Sequence, residues 1–490
     1  MAGARVRDVD RRANGPYSAP SVPGGEQVQD WGLWSLMPLV VTLVLAFTTR
    51  SALLAMLLGA FVGTLMLGAA PGVGLNELFQ SALGNADFIW ICQIVILIGV
   101  LFELFKRAGV LGALAARFAG AAHDRRRVEL TTWTMGLVIV DDYFSPLMTG
   151  AVMRPLADRA GVPREKLAFI LDATTASVCI LVPFTAWGAY VASLIAAQGG
   201  DSVSAAEGLA VFIAAIPFNF YPLLMLAFAL LLCLGWLPDF GPMRRAERRV
   251  RETGALLRPG AVPLADGGED DWQRPEVAAS LLLELALPVA VVVGVAAYSL
   301  IQLGSVKIVE AFLAGVVLLC GILALRGKLG GVHGLVDTLT RGAQGVMPAL
   351  LIVALAYALN AVAGQLGVGE ALIAFFAGDI DARWLVTLTF LLSAAIAFAT
   401  GTSWGAFAMM MPLALPVAVD TAGAMTTPLV YQTVAAVAGG GIFGDHASPV
   451  SDTTVLASVG AGSDHMDHVI TQLPYALACA ALTAALYLMI

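Results

Sequence analysis

Residues 439–454, GGGIFGDHASPVSDTT, place two carboxylates, a histidine and several hydroxyl groups between two apolar segments. The segment PLVYQTVAAVA precedes this stretch, and VLASVGAG and a final apolar run follow it. Because lipid cannot satisfy the polar groups of a broken helix, such a stretch at membrane depth must be surrounded by protein or line a watery cavity. Ionisable residues at that depth are costly and usually functional. We therefore predict that Asp445 and Asp452 belong to a site inside a membrane, rather than to a surface loop.

The whole chain has the composition of a polytopic membrane protein. Its 490 residues are 59% hydrophobic and only 13% charged. Apolar runs of about 17–25 residues, the length that spans a bilayer, recur along it. The formal net charge of -8 says little about partners, and no basic stripe interleaved with aromatic residues predicts nucleic-acid binding. The five cysteines occur singly in apolar segments without CxxC spacing, so we predict neither disulfides nor a metal cluster, and no cofactor.

The order of these runs divides the chain into four parts. Residues 1–30 are polar and lack the apolar core of a signal peptide, which predicts a disordered N-terminal tail. We predict a first membrane repeat over 31–236, a cytoplasmic linker over 237–276 and a second membrane repeat over 277–490. The linker is basic in its front half and acidic in its back half. We interpret its charges as solvated and expect no role in transport.

Each half has the same predicted order: three spans, a polar-tipped hairpin, a broken helix and a closing span. In the first half the hairpin tip is 141–146, DDYFSP, and the broken helix is interrupted at 172–177, DATTAS, and at Pro183. In the second half the polar breaks are 400–405, TGTSWG, and the stretch 439–454. These features predict an all-α polytopic membrane protein with two five-span repeats, each with a re-entrant hairpin and a broken helix.

The positive-inside rule orients the two repeats. Basic residues cluster at 106–127 and at the front of the linker, so these loops are predicted to be cytoplasmic. Five crossings per half then invert the second repeat relative to the first. The same count of crossings places the N-terminal tail outside the cell. The arginines of the tail are an exception, because the positive-inside rule alone would place them in the cytoplasm.

The polar breaks carry the ligands of a hard cation. Ser, Thr and Asp side chains and freed backbone carbonyls suit such an ion. The breaks contain no Lys or Arg to clamp an organic carboxylate, and Arg154 is the nearest candidate. Because burial disfavours a charged carboxylate, sodium and protons would compete for the same oxygens, and alternating access would turn that competition into exchange. The predicted transport residues are Asp141, Asp142, Asp172, Thr174, Thr402, Ser403, Asp445, His446, Ser448, Ser451, Asp452 and Thr453.

Three of these carboxylates are the predicted sodium ligands. Asp172 and Asp445 come first and Asp142 next, because each is expected at a backbone break rather than in a regular helix. Asp452 has a second interpretation, as the cap of the following half-helix. For His446 both a proton site and a structural role stay open. His465 and His468 are interpreted as solvated residues of a loop.

Four sequence motifs resemble those of the NhaC-type sodium/proton antiporter family. They are DDYFSPL at 141–147, LDATTASVCILVPFTAWGAY at 171–190, ATGTSWG at 399–405 and GDHASPVSDTT at 444–454. The resemblance covers about 33–489, and this chain has Ala447 where the family phrase is expected to carry Cys or a similar small residue. It implies exchange of sodium or lithium for protons in a bacterial plasma membrane. It also implies inverted repeats, homodimers and an elevator-like motion.

Two further classes of function stay open. An organic-acid or amino-acid transporter, with exchange of the malate or lactate kind, would use the same carboxylates for a driving sodium ion or proton. An intramembrane enzyme is disfavoured, because HASPVSD lacks the metal-ligand or nucleophile–base spacing of a hydrolase. We predict a transporter and no enzyme, with the lipid bilayer, sodium and protons as its partners.

Overall fold

The computed structural model describes residues 31–49, 51–110, 112–113, 124–183, 185–198, 205–264, 279–303, 307–368, 371 and 382–490. Within these ranges the chain is helical, apart from turns and one isolated β-bridge between Pro263 and Asp464. The prediction of an all-α protein is confirmed. The predicted tail 1–30 and the acidic end of the linker lie outside the described residues.

The helices fall into two series on either side of the linker. Those before the linker are α1 Met37–Thr49, α2 Ala52–Met66, α3 Pro71–Leu83, α4 Ala86–Ala108, α5 Arg125–Val138, α6 Phe144–Arg159, α7 Arg164–Leu181, α8 Ala186–Gln198, α9 Ala205–Ala215 and α10 Phe220–Cys233. The linker contains α11, Gly241–Thr253. Those after it are α12 Leu287–Leu303, α13 Ile308–Leu325, α14 Gly331–Gln365, α15 Ala382–Thr400, α16 Ser403–Ala422, α17 Pro428–Ala447, α18 Asp452–Ala461 and α19 His465–Met489.

Several helices are long and apolar enough to cross a membrane. The described residues contain six such spans, or eight if two bent helix pairs each count as one. The six are Gly32–Thr49, Phe88–Ala108, Leu282–Ser299, Ile308–Leu325, Ser403–Ala422 and His465–Met489. The chain is therefore a multi-pass membrane protein. The inversion of one half relative to the other stays a prediction.

Most of the predicted breaks are confirmed. Helix α5 ends at Val138 and α6 begins at Phe144, and the two pack together as a hairpin. In the second half α15 ends at Thr400 before α16 begins at Ser403. The stretch quoted first is interrupted at residues 448–451, between α17 and α18. The polar residues therefore mark real interruptions at these three places.

The predicted break at 172–177 is wrong. These residues lie inside α7, which continues to Leu181. The Thr174 hydroxyl donates to Ile170 O at 2.8 Å, and the Thr175 hydroxyl donates to Leu171 O at 2.7 Å. Because both hydroxyls bond back to their own helix, the polar run needs no interruption. The chain leaves the helix only just before Pro183.

The glycines of the quoted stretch do not break α17 either. Gly440 lies within the helix, and a Cβ there would lie 2.5 Å from Phe390 O of α15. A Cβ on Gly444 would overlap Phe398 of the same helix. Small residues let two membrane helices approach backbone to backbone. The glycine run therefore serves the packing of α17 on α15.

The linker charges are not all solvated. Helix α11 buries Met243, Ala246, Glu247 and Val250 against the membrane helices. This spacing of three and four residues is that of an amphipathic helix with one docked face. The interpretation of the linker charges as solvated is therefore wrong for Glu247, whereas Arg244, Arg245, Arg248 and Arg251 are exposed.

The buried apolar side chains form two main clusters, and the quoted stretch passes from one to the other. The first cluster draws on α4, α6, α13, α14 and α18, and the second on α8–α10, α15–α17 and α19. Ala447 belongs to the second cluster and Val450 to the first. Helix α7 contributes to both, with Leu171 in the first and Ala173 in the second. The break at 448–451 thus lies where the two cores meet.

Candidate ion-binding site

Three helix ends converge on the carboxylate of Asp445. This residue lies in the last turn of α17, two residues before the helix ends at Ala447. Its Oδ1 accepts hydrogen bonds from Ser451 Oγ at 2.5 Å and from Thr453 Oγ1 at 3.2 Å. Its Oδ2 accepts from Ser403 Oγ, the first residue of α16, at 3.1 Å. We call these four side chains the Asp445 cage, and all four are buried.

The cage forms because the two breaks of the second half lie against each other. Gly401 adopts a φ of +70°, which favours glycine, and a Cβ there would lie 2.5 Å from Val450 O. Ser448 Oγ donates a hydrogen bond to Phe398 O at 2.7 Å and so ties the second break to α15. These contacts bring the start of α16 to the end of α17.

The cage has the chemistry of a small-cation site. It consists of one carboxylate and three hydroxyls, all of them oxygen ligands. The C-termini of α15 and α17 and the N-termini of α16 and α18 meet beside it, so helix dipoles of both signs act on the site. Within the described ranges, the ion pairs formed by Lys and Arg involve other carboxylates. The carboxylates without such a pair include Asp141, Asp142, Asp172, Asp445 and Asp452.

A second buried carboxylate, Asp172, connects to the cage through one backbone carbonyl. Its Oδ2 accepts a hydrogen bond from Gln472 Nε2 at 3.0 Å. The same Gln472 nitrogen donates to His446 O at 2.5 Å. The Nε2 of His468 lies 3.7 Å from Asp172 Oδ2. We call these four residues the Asp172 network, and it lies one residue along the chain from Asp445.

The Asp172 network has unused hydrogen-bonding capacity. Four of its buried polar atoms have no hydrogen-bond partner among the residues that the structure describes: Asp172 Oδ1, Gln472 Oε1, His446 Nε2 and His468 Nε2. Buried polar atoms in folded proteins nearly always have a partner. The network can therefore take up a proton, a water molecule or an ion.

Comparison with known proteins identifies the family. A model of the Na+/H+ antiporter family matches residues 178–490, more than half of the chain. The chain belongs to the Na+/H+ antiporter family. An uncharacterized protein of Haemophilus influenzae is 30% identical over 482 residues, which cover 94% of this chain and 91% of that protein. An uncharacterized Na(+)/H(+) antiporter of the same species is 30% identical over 161 residues, 33% of each chain.

Among solved structures, the YdaH transporter of Alcanivorax borkumensis aligns at 16% identity and a TM-score of 0.35, over 85% of this chain and 88% of that one. The resemblance read from the sequence is confirmed by the family match. As a member of the Na+/H+ antiporter family, the chain is a cation/proton transporter.

The remaining predicted carboxylates of this antiporter-family chain lie at the hairpin and at α18. Asp141 Oδ1 accepts from the backbone N of Tyr143 at 3.0 Å and of Phe144 at 2.6 Å, so it bonds to two backbone N–H groups at the start of α6. Asp142 Oδ2 accepts from Trp187 Nε1 at 2.7 Å. Asp452 Oδ2 accepts from Tyr143 OH at 3.0 Å, which ties the hairpin of the first half to the second break of the other half.

Asp452 is not the cap of its helix. It is the first residue of α18, and Ser451 occupies the N-cap position. Its Oδ1 accepts from the adjacent Thr453 N at 2.9 Å. A carboxylate in the first turn still interacts favourably with the helix dipole.

Three other predicted residues lie outside the cage. Thr174 is turned towards α5, since a Cβ on Gly136 would overlap its side chain. Thr402 is the N-cap of α16 but makes no side-chain capping bond. His446 Nδ1 lies 3.1 Å from Tyr221 OH, which gives this histidine a buried structural partner.

His465 and His468 are not solvated. Helix α19 begins at His465, because Asp464 caps it by accepting from Asp467 N at 3.0 Å. Both histidines are buried, and their Nδ1 atoms lie 3.1 Å and 2.9 Å from Ser458 Oγ. The interpretation as a polar loop is therefore wrong for both.

Sequence reasoning missed several residues of the site, namely Gln472, Tyr221, Trp187 and Tyr143. Gln472 carried a usable signal, because a lone amide in an apolar final helix is itself a polar residue at membrane depth. The aromatic residues carried none, since tyrosine and tryptophan are common in membrane helices.

Proposed function

We propose that this chain exchanges sodium or lithium for protons across the bacterial plasma membrane, with the Asp445 cage as the ion site. The observation that supports this most directly is a buried carboxylate surrounded by three hydroxyls, without a Lys or Arg partner in the described part of the chain. Hydroxyl oxygens can turn their lone pairs towards an ion when their hydrogens turn away. The same side chains thus serve a protonated and an ion-bound carboxylate.

Competition between the two cargoes follows from burial. An uncompensated charge is unfavourable in a buried site, so the Asp445 carboxylate is best stabilised by a proton or by a sodium ion. Binding of one expels the other. Alternating access then couples the two gradients without covalent chemistry, and we propose no enzymatic step.

We propose that Asp172 contributes to the same exchange. It is fully buried, and Gln472 links its carboxylate to the backbone carbonyl that follows Asp445. A change in the charge of one carboxylate would therefore act on the other through a single amide. Asp142, held by Trp187, is proposed as a third ligand in another state of the cycle.

The position of Arg154 favours a cation over an organic acid. This arginine was the nearest basic residue to the breaks, and its guanidinium lies against Gly462 at the end of α18, where a Cβ would lie 2.5 Å from Nη1. It is therefore placed at the far end of α18 from Asp452. A guanidinium group is a common ligand of an organic carboxylate, and this one lies at the other end of α18 from the residues that enter the cage.

The domain organisation is also proposed. We propose inverted membrane repeats over 31–236 and 277–490, a cytoplasmic linker over 237–276, and a homodimer. The matched order of hairpin, interrupted helix and closing helices in both halves supports the repeats.

Reconstituted vesicles with an internal pH dye test the exchange. Addition of sodium to vesicles with an imposed acid interior is expected to raise the internal pH with the wild-type chain, and not with Asp445→Asn. Asp337→Asn is the matched control, because Asp337 is exposed and pairs with Arg341 on the surface. A pH response to an organic acid and none to sodium or lithium would refute the proposal.

A further inference from the structure

A cavity of about 670 Å³ opens between the linker helix and the membrane helices. Its walls come from the starts of α5 and α7, the end of α10 with the following loop, and α11. Leu232, Leu237 and Phe240 form an apolar part of the wall. The basic side chains that line it are Arg125, Arg126, Lys166, Arg244, Arg248 and Arg251. We call this cavity the arginine pocket.

The carboxylates of the arginine pocket are already paired. Arg125 forms ion pairs with Glu129, at 2.9 Å, and with Glu247. Lys166 Nζ lies 3.0 Å from Asp239, 3.3 Å from Glu129 and 3.4 Å from Glu247. These three carboxylates are the acidic residues of the lining. Two cations therefore neutralise most of the negative charge at the floor of the pocket.

The other four lining arginines form no ion pair within the described ranges; they are Arg126, Arg244, Arg248 and Arg251. Six basic and three acidic side chains give the lining a formal charge of +3. Unpaired guanidinium groups around a concave surface attract and bind anions.

The pocket is held in place by its own anchors. Arg249 donates to both carboxylate oxygens of Glu165, at 2.9 Å each, which fixes α11 to the start of α7. The spacing of Arg244, Arg248 and Arg251 places them on one face of α11. Arg126 lies across from them, against the loop after α10, where a Cβ on Gly235 would lie 3.0 Å from its Nε. The arginines therefore surround the pocket from two sides.

We propose that the arginine pocket binds the phosphate group of an anionic phospholipid. Guanidinium groups match phosphate oxygens in charge and geometry, and basic pockets between membrane helices are suited to lipid headgroups. The apolar part of the wall offers a surface that an acyl chain can contact. Trp236, three residues after the end of α10, is 73% exposed, and exposed tryptophan beside a membrane helix is typical of the headgroup level. This position selects a lipid headgroup rather than a soluble phosphate as the occupant.

Thermal unfolding of the purified protein in detergent tests the site. The probes are short-chain phosphatidylglycerol, phosphatidylcholine with the same chains, and inorganic phosphate. We expect phosphatidylglycerol to raise the unfolding temperature at concentrations where the other two do not. In Arg244→Gln/Arg248→Gln the half-maximal concentration of phosphatidylglycerol should rise by about tenfold or more, because two charge-assisted contacts are lost.

The matched control is Arg245→Gln/Arg127→Gln, which removes the same charge from two exposed arginines outside the pocket lining. It should respond like the wild type. If the pocket variant is unstable, Arg244→Lys/Arg248→Lys keeps the charge, loses the planar fork and should also bind more weakly. Equal responses of pocket and control variants would overturn the proposal. A full shift with inorganic phosphate alone would overturn the lipid assignment.

Discussion

Replacement of Asp445 by Asn is the sharpest perturbation of the proposed ion site. Asparagine keeps the shape of the side chain, and the three hydroxyls around it can each donate or accept a hydrogen bond. We therefore expect Asp445→Asn to insert and fold, with a stability change of about 1 kcal/mol. The charge is lost completely.

The expected loss of ion affinity follows from Coulomb's law. The three hydroxyl oxygens lie 2.5–3.2 Å from the carboxylate oxygens of Asp445. An ion bound among these oxygens, in place of the hydroxyl hydrogens, would lie within about 4 Å of the carboxylate charge. Two unit charges at that separation attract by about 4 kcal/mol at an effective dielectric constant of about 20. Since about 1.4 kcal/mol is a factor of ten, sodium should bind roughly 100- to 1,000-fold more weakly.

A neutral ligand of the same cage gives a graded comparison. Ser403→Ala removes one hydroxyl and leaves Asp445 Oδ2 without its hydrogen bond. A bond to a charged group contributes about 1.5–3 kcal/mol, so sodium affinity should fall by about 10- to 100-fold. Because the carboxylate remains, competition with protons should persist. Asp452→Asn keeps an acceptor for Tyr143 and should retain exchange.

The assay is sodium-driven proton flux in reconstituted vesicles, measured over a range of sodium concentrations at two pH values. Asp337→Asn, on the surface, controls for the loss of a carboxylate. The half-saturating sodium concentration should be higher for Ser403→Ala than for the wild type, and Asp445→Asn should show no sodium-driven flux over the same range. Unchanged sodium affinity and pH dependence in Asp445→Asn would show that Asp445 is not the coupling site.

Three further predictions test the neighbouring elements. Asp172→Asn should insert normally and lose sodium–proton exchange, because a neutral side chain cannot titrate; vesicle flux at several pH values checks this, and an unchanged pH profile would contradict it. Gly440→Ala should lower the free energy of unfolding, measured by chemical denaturation, by about 1–3 kcal/mol, because the new Cβ would lie 2.5 Å from Phe390 O. The control Gly345→Ala should leave the free energy of unfolding nearly unchanged, because the space around Gly345 is open. A cysteine replacing the exposed Arg245 should react with an impermeant thiol reagent in inside-out vesicles only, and labelling from the outside of intact cells would reverse the proposed topology.

The sequence by itself determined the class of the protein and most of the interruptions. Long apolar runs can satisfy their backbone only as helices in a bilayer, so composition and run length suffice for that conclusion. The interruptions before Phe144 and Ser403 and at residues 448–451 could be read from polar residues in apolar surroundings. The resemblance of four sequence motifs to one family predicted that the protein is a cation/proton transporter.

The prediction of a helix break from polar residues was wrong where a polar side chain forms a hydrogen bond within its own helix. Thr174 and Thr175 bond to carbonyls of the preceding turn, so the run at 172–177 stays helical. The prediction that polar residues are solvated was wrong where tertiary packing buries them. Helix α11 docks through Glu247, which pairs with Arg125, 122 residues away in the sequence. His465 and His468 are buried around Ser458, which is only 7 and 10 residues away and whose hydroxyl replaces their water.

Only the tertiary structure decided which residues share a site. Ser403 and Asp445 are 42 residues apart and meet because two helix breaks pack together. Gln472 and Asp172 are 300 residues apart and meet because α7 and α19 pack side by side. A local pattern reports the propensity of a segment to bend or to span. It does not show which interruptions will contact each other once the two clusters of buried side chains pack together. That packing creates the Asp445 cage.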